Sequence, residues 1–327
     1  MQTLDDIRQP VSEDIRRYED LLKNSFSSDN PTVNSMLDYV FSNRGKGVRP
    51  LMTLLSAALF NGSTPLPAKS HLAAMIIEMI HTATLVHDDV IDEAFIRRDK
   101  PSVNALWRSQ RAVLVGDYIL AKSFSTGMDE KAYEIVGYIT GCMADICEGE
   151  LIQSEQSDLL EMNREIYNSI IYKKTATLIG TSCGAGAISA GADSTAVAKM
   201  KELGDAAGMA FQIKDDILDY KPSVDTGKPT CGDLRERKIT LPLLIVLEKA
   251  TGTERKQIIR LLSDIRHTPR NAEKLYNLVV EAKGPEMAAE IMQEYIDKAI
   301  SLLRSFPESI YRESLAGLFR FIASREK

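Results

Sequence analysis

Apolar residues recur along this chain at the three- and four-residue spacing of an α-helix, and this pattern restricts the fold more than any other feature. The segments 72–83 and 113–121 follow the spacing most clearly. No segment has the two-residue alternation of a strand bounded by hairpin turns. We therefore expect an all-α fold, a single large helical bundle, with helices near 4–23, 31–43, 49–60, 67–93, 103–125, 129–156, 160–190, 194–219, 240–250, 254–265, 270–282, 285–304 and 307–324.

The domain organisation follows from what the sequence does not contain. No Gly/Ser-rich linker, low-complexity tract or internal repeat divides the 327 residues, so we expect one domain over 1–327. Two irregular segments, 94–102 and 221–239, interrupt the helical pattern. Long irregular connections in compact domains are usually functional, which makes both segments candidates for a site.

Charge and cysteine content exclude several classes of partner. The chain has 40 Lys and Arg against 46 Asp and Glu, a formal net charge of −6, whereas general binding to nucleic acid or anionic membranes favours basic surfaces. Its four cysteines form no C-x-x-C pair, which argues against a zinc site or a disulfide framework. The first residues lack the order of a signal peptide, and the apolar runs fall short of the ~20 residues needed to cross a bilayer. We expect a cytoplasmic protein without an integral membrane segment.

Two acidic clusters carry the strongest chemical signal. The first contains Asp88, Asp89 and Asp92, and the second repeats the spacing with Asp215, Asp216 and Asp219. Helical residues four apart share a face, so the first and last aspartates of each cluster lie together and repel. A hard cation such as Mg²⁺, held by carboxylates and substrate phosphates, relieves this repulsion. One such cluster could equally be a solvated helix end, but the repetition favours metal-bridged diphosphate binding.

Basic residues flank both clusters and also occur elsewhere in the helical pattern. Each could by itself be a solvated surface base. Beside metal-type clusters in an acidic chain, however, they indicate two diphosphate sites, because guanidinium and ammonium groups bind phosphate oxygens. The bases are Lys46 and Arg49 before one helix, Arg97, Arg98 and Lys100 after the first cluster, Lys173 and Lys174 within an apolar helix, and Lys228 and Lys238 after the second cluster.

In these segments the chain resembles the trans-prenyltransferases, and specifically the polyprenyl diphosphate synthases of the octaprenyl and heptaprenyl type. The resemblance rests on residues 45–50, 80–104, 174–175, 208–219 and 225–243, which together span about two thirds of the chain in the family's order. It implies a homodimer with the isoprenoid synthase fold, a helical bundle around a deep central cavity. It also implies condensation of isopentenyl diphosphate with an allylic diphosphate.

The resemblance assigns roles to individual residues. Isopentenyl diphosphate would be bound by Lys46, Arg49, His81 and Arg98. The allylic diphosphate would be bound by Arg97, Lys174, Thr175 and Gln212, assisted by Lys228 and Lys238. Asp88 and Asp92 would hold two Mg²⁺ ions and Asp215 a third, while Asp89 and Asp219 complete the candidate metal-binding set. Among these residues Asp88, Asp92, Lys174, Asp215 and Lys228 are the candidate catalytic groups.

Three positions leave questions open. His81 could instead be a histidine of the core, although its offset of seven residues from Asp88 places both on one helical face. Asp99 and Arg237 stand where the family usually has glycine. Side chains at these two positions would affect loop conformation and substrate affinity more than the type of reaction.

Product length would depend on the cavity below the first cluster. Ala83 lies five residues before Asp88, with Met79 and Ile80 one turn deeper. A large aromatic residue at position 83 limits the product in short-chain members of the family, so Ala83 indicates a product in the hexaprenyl to decaprenyl range. Ala83 could also be a simple packing residue, with the floor supplied by Tyr118 or Phe124. A long product suits a quinone side chain and could be passed to a membrane.

Two other functions remain open from the sequence alone. A class I terpene cyclase shares the helical fold and the first acidic cluster, but it usually has a different second metal motif. A non-catalytic partner subunit of a prenyltransferase is the other alternative, although such subunits tend to lack the aspartates.

Overall fold

The computed structural model describes residues 2–221 and 231–325, apart from the side chain of Asp158. Most of these residues are helical and very few are in strands, which confirms the all-α prediction. The helices are α1 (Leu4–Arg8), α2 (Ser12–Ser25), α3 (Pro31–Ser42), α4 (Val48–Asn61), α5 (Ala68–Ile91), α6 (Val103–Trp107), α7 (Ser109–Asp129), α8 (Tyr133–Thr140), α9 (Met143–Leu159), α10 (Arg164–Ile171), α11 (Thr177–Ser189), α12 (Ser194–Leu218), α13 (Gly232–Arg235), α14 (Leu241–Lys249), α15 (Gly252–Ser263), α16 (Arg270–Glu281), α17 (Gly284–Leu303) and α18 (Ile310–Ser324). The strands are β1 (Ile96–Arg97) and β2 (Lys100–Pro101).

The centre of the bundle is formed by α4, α5, α11 and α12. α12 packs against α11 and α17, while α5 packs against α4 and α7. Because α11 is apolar on most faces, it is buried along nearly its whole length. The two acidic clusters lie at the C-terminal ends of α5 and α12, so these two long helices set the position of both clusters.

Helix boundaries follow the expected local chemistry. The Asn30 side chain accepts hydrogen bonds from the backbone N–H groups of Thr32 (2.9 Å) and Val33 (3.4 Å), and Pro31 occupies the first position of α3. Gly62 ends α4 with φ +72°, a conformation that costs glycine little.

Four of the expected helices are interrupted. The helix expected over 103–125 breaks at Arg108, which has φ +70° and separates α6 from α7. A 3₁₀ turn at Gln9–Val11 separates α1 from α2, where Pro10 lacks the N–H that a continuous helix needs. Gly141 and Cys142 separate α8 from α9. A π-helical turn at Tyr172–Ala176 separates α10 from α11.

The irregular segment 94–102 contains a short antiparallel hairpin that the sequence pattern did not indicate. β1 pairs with β2 through Ile96 opposite Pro101 and Arg97 opposite Lys100. The two-residue turn between them is formed by Arg98 (φ +52°) and Asp99 (φ +61°), as in the tightest hairpins. Arg237 also has a positive φ of +62°. Asp99 and Arg237, which stand where the family usually has glycine, therefore both adopt the left-handed backbone conformation that glycine favours.

None of the helices described above has the combination of length and hydropathy that a bilayer-spanning segment requires.

Candidate active site

A cavity of about 1340 Å³ opens at the ends of α5 and α12 that carry the acidic clusters. This volume exceeds the usual 300–1,000 Å³ of small-molecule sites. Its walls are formed by the start of α4, by α5, the β1–β2 hairpin, α9, the π turn, α12 and α18. The sequence-predicted residues on these walls are Lys46, Arg49, His81, Asp88, Arg97, Arg98, Lys174, Thr175, Gln212 and Asp215.

The first acidic cluster divides between the cavity and the hairpin. Asp88 faces the cavity, and its burial raises the pKa of its carboxyl to about 6. Asp89 is 3% exposed and accepts a hydrogen bond from Arg97 Nε at 2.7 Å, so it positions the hairpin. Asp92 Oδ1 lies 3.8 Å from the Nζ of Lys238, a residue of the segment that follows the second cluster. Lys238 therefore brings the segment after the second cluster against the first cluster.

The second cluster divides in the same way. Asp215 faces the cavity and accepts a hydrogen bond from Arg325 at 2.6 Å. Asp219 accepts hydrogen bonds from the backbone N–H groups of Gly232 (2.9 Å) and Asp233 (3.2 Å), which fixes the start of α13. Both Asp89 and Asp219 thus have structural partners, and a metal-binding role for either stays a prediction.

Asp216, the middle aspartate, is a buried organising group. It accepts hydrogen bonds from the Tyr167 hydroxyl (2.6 Å), Gln212 Nε2 (3.1 Å) and the Leu241 backbone N–H (3.2 Å). Gln212 Oε1 in turn accepts a hydrogen bond from the Thr175 hydroxyl at 2.8 Å. This network joins α12 to the π turn and fixes two of the predicted ligands of the allylic diphosphate.

The predicted isopentenyl diphosphate ligands lie together on one side of the cavity. Burial lowers the pKa of Arg49 to about 10, which leaves it cationic at neutral pH. Burial, followed by the charge of Arg49, lowers the pKa of His81 well below its ordinary value, so its ring is neutral there. Arg98 donates to the Asn43 carbonyl at 2.6 Å and lies against Gly45, where an added Cβ would fall 2.6 Å from its Nη2. Glycine at position 45 leaves room for the guanidinium.

Lys174 projects from the π turn into the cavity and pairs with Glu150 of α9 at 2.7 Å. Lys228 lies outside the described residues, so its role stays a prediction.

The candidate chain-length residues lie in the packed core. Met79, Ile80 and Ala83 are each 0% exposed, and the α5 residues on the cavity wall are others, among them His81, Thr84, Leu85 and Asp88. An influence of the three residues on product length stays a prediction. For such an influence, the growing chain would have to enter space that these side chains and their neighbours fill in the structure.

Several residues of the cavity wall were not predicted from the sequence. Arg325, near the end of α18, donates to Asp215 and to the Phe211 carbonyl, and its guanidinium lies 3.9 Å from the centre of the Phe211 ring. Glu150 is one of several acidic residues in its segment, and Glu78 is a buried acid of α5 that lies ten residues before the first acidic cluster. No spacing rule marks any of these residues, because each meets its partners only through tertiary packing.

The carboxylates of the site fit Mg²⁺. Within the described parts of the chain, no group of three or more His, Cys, Asp or Glu side chains is close enough to hold an ion by itself. Mg²⁺ is typically held by one or two carboxylates, several waters and substrate phosphates. Asp88 and Asp215 supply such carboxylates on opposite helices of one cavity, so an ion would be completed by a bound diphosphate.

Comparison with known proteins identifies extensive similarity. Residues 30–279 match the family model for polyprenyl synthetase. The chain is 36% identical to an all-trans-nonaprenyl-diphosphate synthase (geranyl-diphosphate specific) of Rhodobacter capsulatus, over 98% of this chain and 97% of that protein. It is 32% identical to a short chain isoprenyl diphosphate synthase of Methanothermobacter thermautotrophicus, over 97% of this chain and 99% of that protein.

Among solved structures, the chain is similar to a polyprenyl synthase from Caulobacter crescentus complexed with calcium and isoprenyl diphosphate. The TM-score is 0.91 at 30% identity, and the alignment covers 99% of this chain and 98% of that one.

Proposed function

This chain belongs to the polyprenyl synthetase family, and we propose that it is a trans-polyprenyl diphosphate synthase that extends an allylic diphosphate with isopentenyl diphosphate. The observation that carries this proposal is the single cavity into which Asp88 and Asp215 project from different helices, between two groups of bases. One group contains Lys46, Arg49 and Arg98, and the other centres on Lys174.

Asp88, Asp92 and Asp215 are the residues that would hold Mg²⁺, with three ions per site as the family resemblance implies. Bound Mg²⁺ would supply charge neutralisation for the leaving diphosphate. Lys174 and Arg97 face the same diphosphate site and add fixed positive charge, an effect that is strongest where water is excluded.

The reaction would proceed by ionisation, condensation and elimination. The allylic C–O bond breaks, diphosphate leaves with the bonding electrons, and the double bond of isopentenyl diphosphate attacks the allylic cation. A proton is then lost to the departing diphosphate, as the family resemblance implies, and a new double bond forms. Lys46, Arg49 and Arg98 would hold the isopentenyl diphosphate in place, while apolar wall residues such as Leu85, Leu178 and Phe211 exclude the water that would trap the cation.

Product analysis tests this proposal against the two alternatives. Purified protein is incubated with Mg²⁺, farnesyl diphosphate and isopentenyl diphosphate, and the products are separated by chromatography. Linear chain extension supports the synthase. A cyclic hydrocarbon identifies a terpene cyclase, and lack of turnover by the chain alone identifies a partner subunit.

We propose a product in the hexaprenyl to decaprenyl range, because Ala83 places only a methyl group below the first cluster. Replacement of Ala83 by Phe is expected to shorten the product, and because this position is fully buried, overpacking should also cost about 1–3 kcal/mol of stability. Chromatographic sizing and urea unfolding measure the two effects separately. A destabilised variant with unchanged product length would place Ala83 outside the path of the growing chain.

We further propose a cytoplasmic homodimer with one domain over 1–327. Supporting the dimer, α7 and α8 expose apolar side chains, among them Leu114 at 65% and Tyr133 at 57%. The acidic net charge disfavours nucleic acid as a partner, and a long product could be passed to a membrane.

A further inference from the structure

Two adjacent lysines of the π turn pair with two glutamates of α9. Lys173 Nζ lies 2.7 Å from Glu148 Oε2, and Lys174 Nζ lies 2.7 Å from Glu150 Oε2. The two pairs differ in environment, because the Glu148 side chain is 58% exposed and the Glu150 side chain is 17% exposed. Only the second pair lies on the cavity wall.

Gly149, between the two glutamates, explains why α9 can hold both lysines. A Cβ added at Gly149 would lie 2.8 Å from both Lys173 Cβ and Lys174 N, closer than real contacts allow. The backbone of α9 therefore rests directly on the π turn. The residues on either side then project past this contact, Glu148 toward solvent and Glu150 into the cavity.

The charge environment gives Glu150 a role beyond packing. Glu150 and Lys174 line the cavity with Asp88, and the charges of both affect the Asp88 carboxyl in opposite directions. Lys174 has an anionic partner within the protein, because the Glu150 carboxylate accepts from it at 2.7 and 2.9 Å. An incoming diphosphate thus meets an ammonium group that is held in place and partly neutralised.

We propose that Glu150 is a positioning residue that holds Lys174 at the cavity wall and competes with diphosphate for its ammonium group. This inference rests on the proposed function, because it assigns the Lys174 side of the cavity to the allylic diphosphate. Glu150 thereby favours a productive orientation of the substrate and weakens retention of the diphosphate that is released.

Two substitutions separate the two parts of this role. Glu150→Leu removes both the acceptor oxygens and the charge, so the KM for the allylic diphosphate should rise about tenfold, the size of one charged hydrogen bond. The KM for isopentenyl diphosphate should stay unchanged. Glu150→Gln keeps an acceptor oxygen and removes the charge, so it should restore the KM for the allylic diphosphate and make inorganic pyrophosphate a tighter inhibitor. Glu148→Leu and Glu148→Gln, which change the exposed pair, are the matched controls and should behave as wild type.

The inference is overturned if the Glu150 and Glu148 variants have the same KM for the allylic diphosphate and the same inhibition by pyrophosphate. It is also overturned if Glu150→Leu raises the KM values for both substrates equally. If the Leu variant fails to fold, the inhibition constants of pyrophosphate for Glu150→Gln and Glu148→Gln are compared. Tighter inhibition of Glu150→Gln supports the inference, and equal inhibition overturns it. Wild-type protein that does not extend a primer would instead refute the proposed function, and calorimetric titration with Mg²⁺ and pyrophosphate would still compare the two glutamates.

Discussion

At the scale of single residues, Asp88 combines a metal-type position with a raised proton affinity. Burial raises its pKa from the ordinary 3.8 to about 6, while Lys174 lowers it and Glu150 and Asp92 raise it. The folded protein therefore binds this proton more tightly than the unfolded chain does. The Asp88 carboxylate costs stability above about pH 6, and this cost is relieved as the pH falls toward the unfolded value of 3.8.

This proton should compete with Mg²⁺. The half-saturating Mg²⁺ concentration for turnover is expected to rise as the pH is lowered from about 8 to about 5, because Asp88 must lose its proton to bind the ion. Initial rates measured over a Mg²⁺ series at each pH test this.

Replacement of Asp88 by Asn should lower turnover by roughly 100-fold and remove this group's contribution to the pH dependence of stability. Asp129→Asn, at the exposed end of α7, is the control. A half-saturating Mg²⁺ concentration that does not change with pH would contradict the assignment.

The acidic clusters also mark what the sequence could predict at this scale. Their repeated spacing was sufficient to predict that carboxylates of α5 and α12 face a common site. The spacing could not show that Asp88 and Asp215 face the cavity, whereas Asp89 and Asp219 accept hydrogen bonds from other parts of the protein. That division depends on Arg97 of the hairpin and on the backbone at 232–233, contacts that only the folded chain creates. Arg325 meets Asp215 across 110 residues, which no local pattern encodes.

At the scale of elements, the π turn at Tyr172–Ala176 is the feature that directs Lys174 into the cavity. π turns are rare and are often found at functional sites. The Lys-Lys-Thr sequence predicted a helix with two charges in an apolar stretch, but not the change in hydrogen bonding. The change accompanies close packing from two sides, since Gly149 of α9 and Gly208 of α12 both lie against this turn.

Replacement of Gly149 by Ala should therefore separate α9 from the π turn. The added Cβ has no space beside Lys173 Cβ and the Lys174 backbone, so we expect a loss of about 1–3 kcal/mol in the free energy of unfolding and a higher KM for the allylic diphosphate. Gly252→Ala on α15, where an added Cβ would meet no other group within 4 Å and which lies outside the α7 and α8 surface, should instead change the free energy of unfolding by less than about 1 kcal/mol. Urea unfolding curves compare the two, and equal effects would refute the packing argument.

At the scale of the whole molecule, the bundle explains how residues distant in sequence form one site. α4, α5, α9, α12 and α18 each contribute to the cavity wall. Helical periodicity predicted these elements and their buried faces, because apolar spacing is a local property. The interruptions at 9–11, 108, 141–142 and 172–176 depend on single residues and on packing, and the periodic pattern continues through them.

The exposed apolar side chains of α7 and α8 are expected to be covered by a second copy of the chain. Sedimentation equilibrium should give twice the 36.3 kDa mass of one chain. Leu114→Asp should weaken the dimer, because a charge would be buried at the interface. Ile310→Asp, on α18 and also exposed at 57%, should leave it intact. A wild-type monomer at micromolar concentration would contradict the homodimer.

The contact between Arg325 and Asp215 bears on the discovery of inhibitors. The Arg325 guanidinium lies 2.6 Å from this carboxylate, so Arg325 and any cation that binds Asp215 would compete for it. Compound screening in the presence of a chelator would therefore favour anions that draw Arg325 away from Asp215. Screening with Mg²⁺ would favour anions that bind the metal between Asp88 and Asp215. Hits from the two screens should differ in chemotype, even though they come from the same cavity.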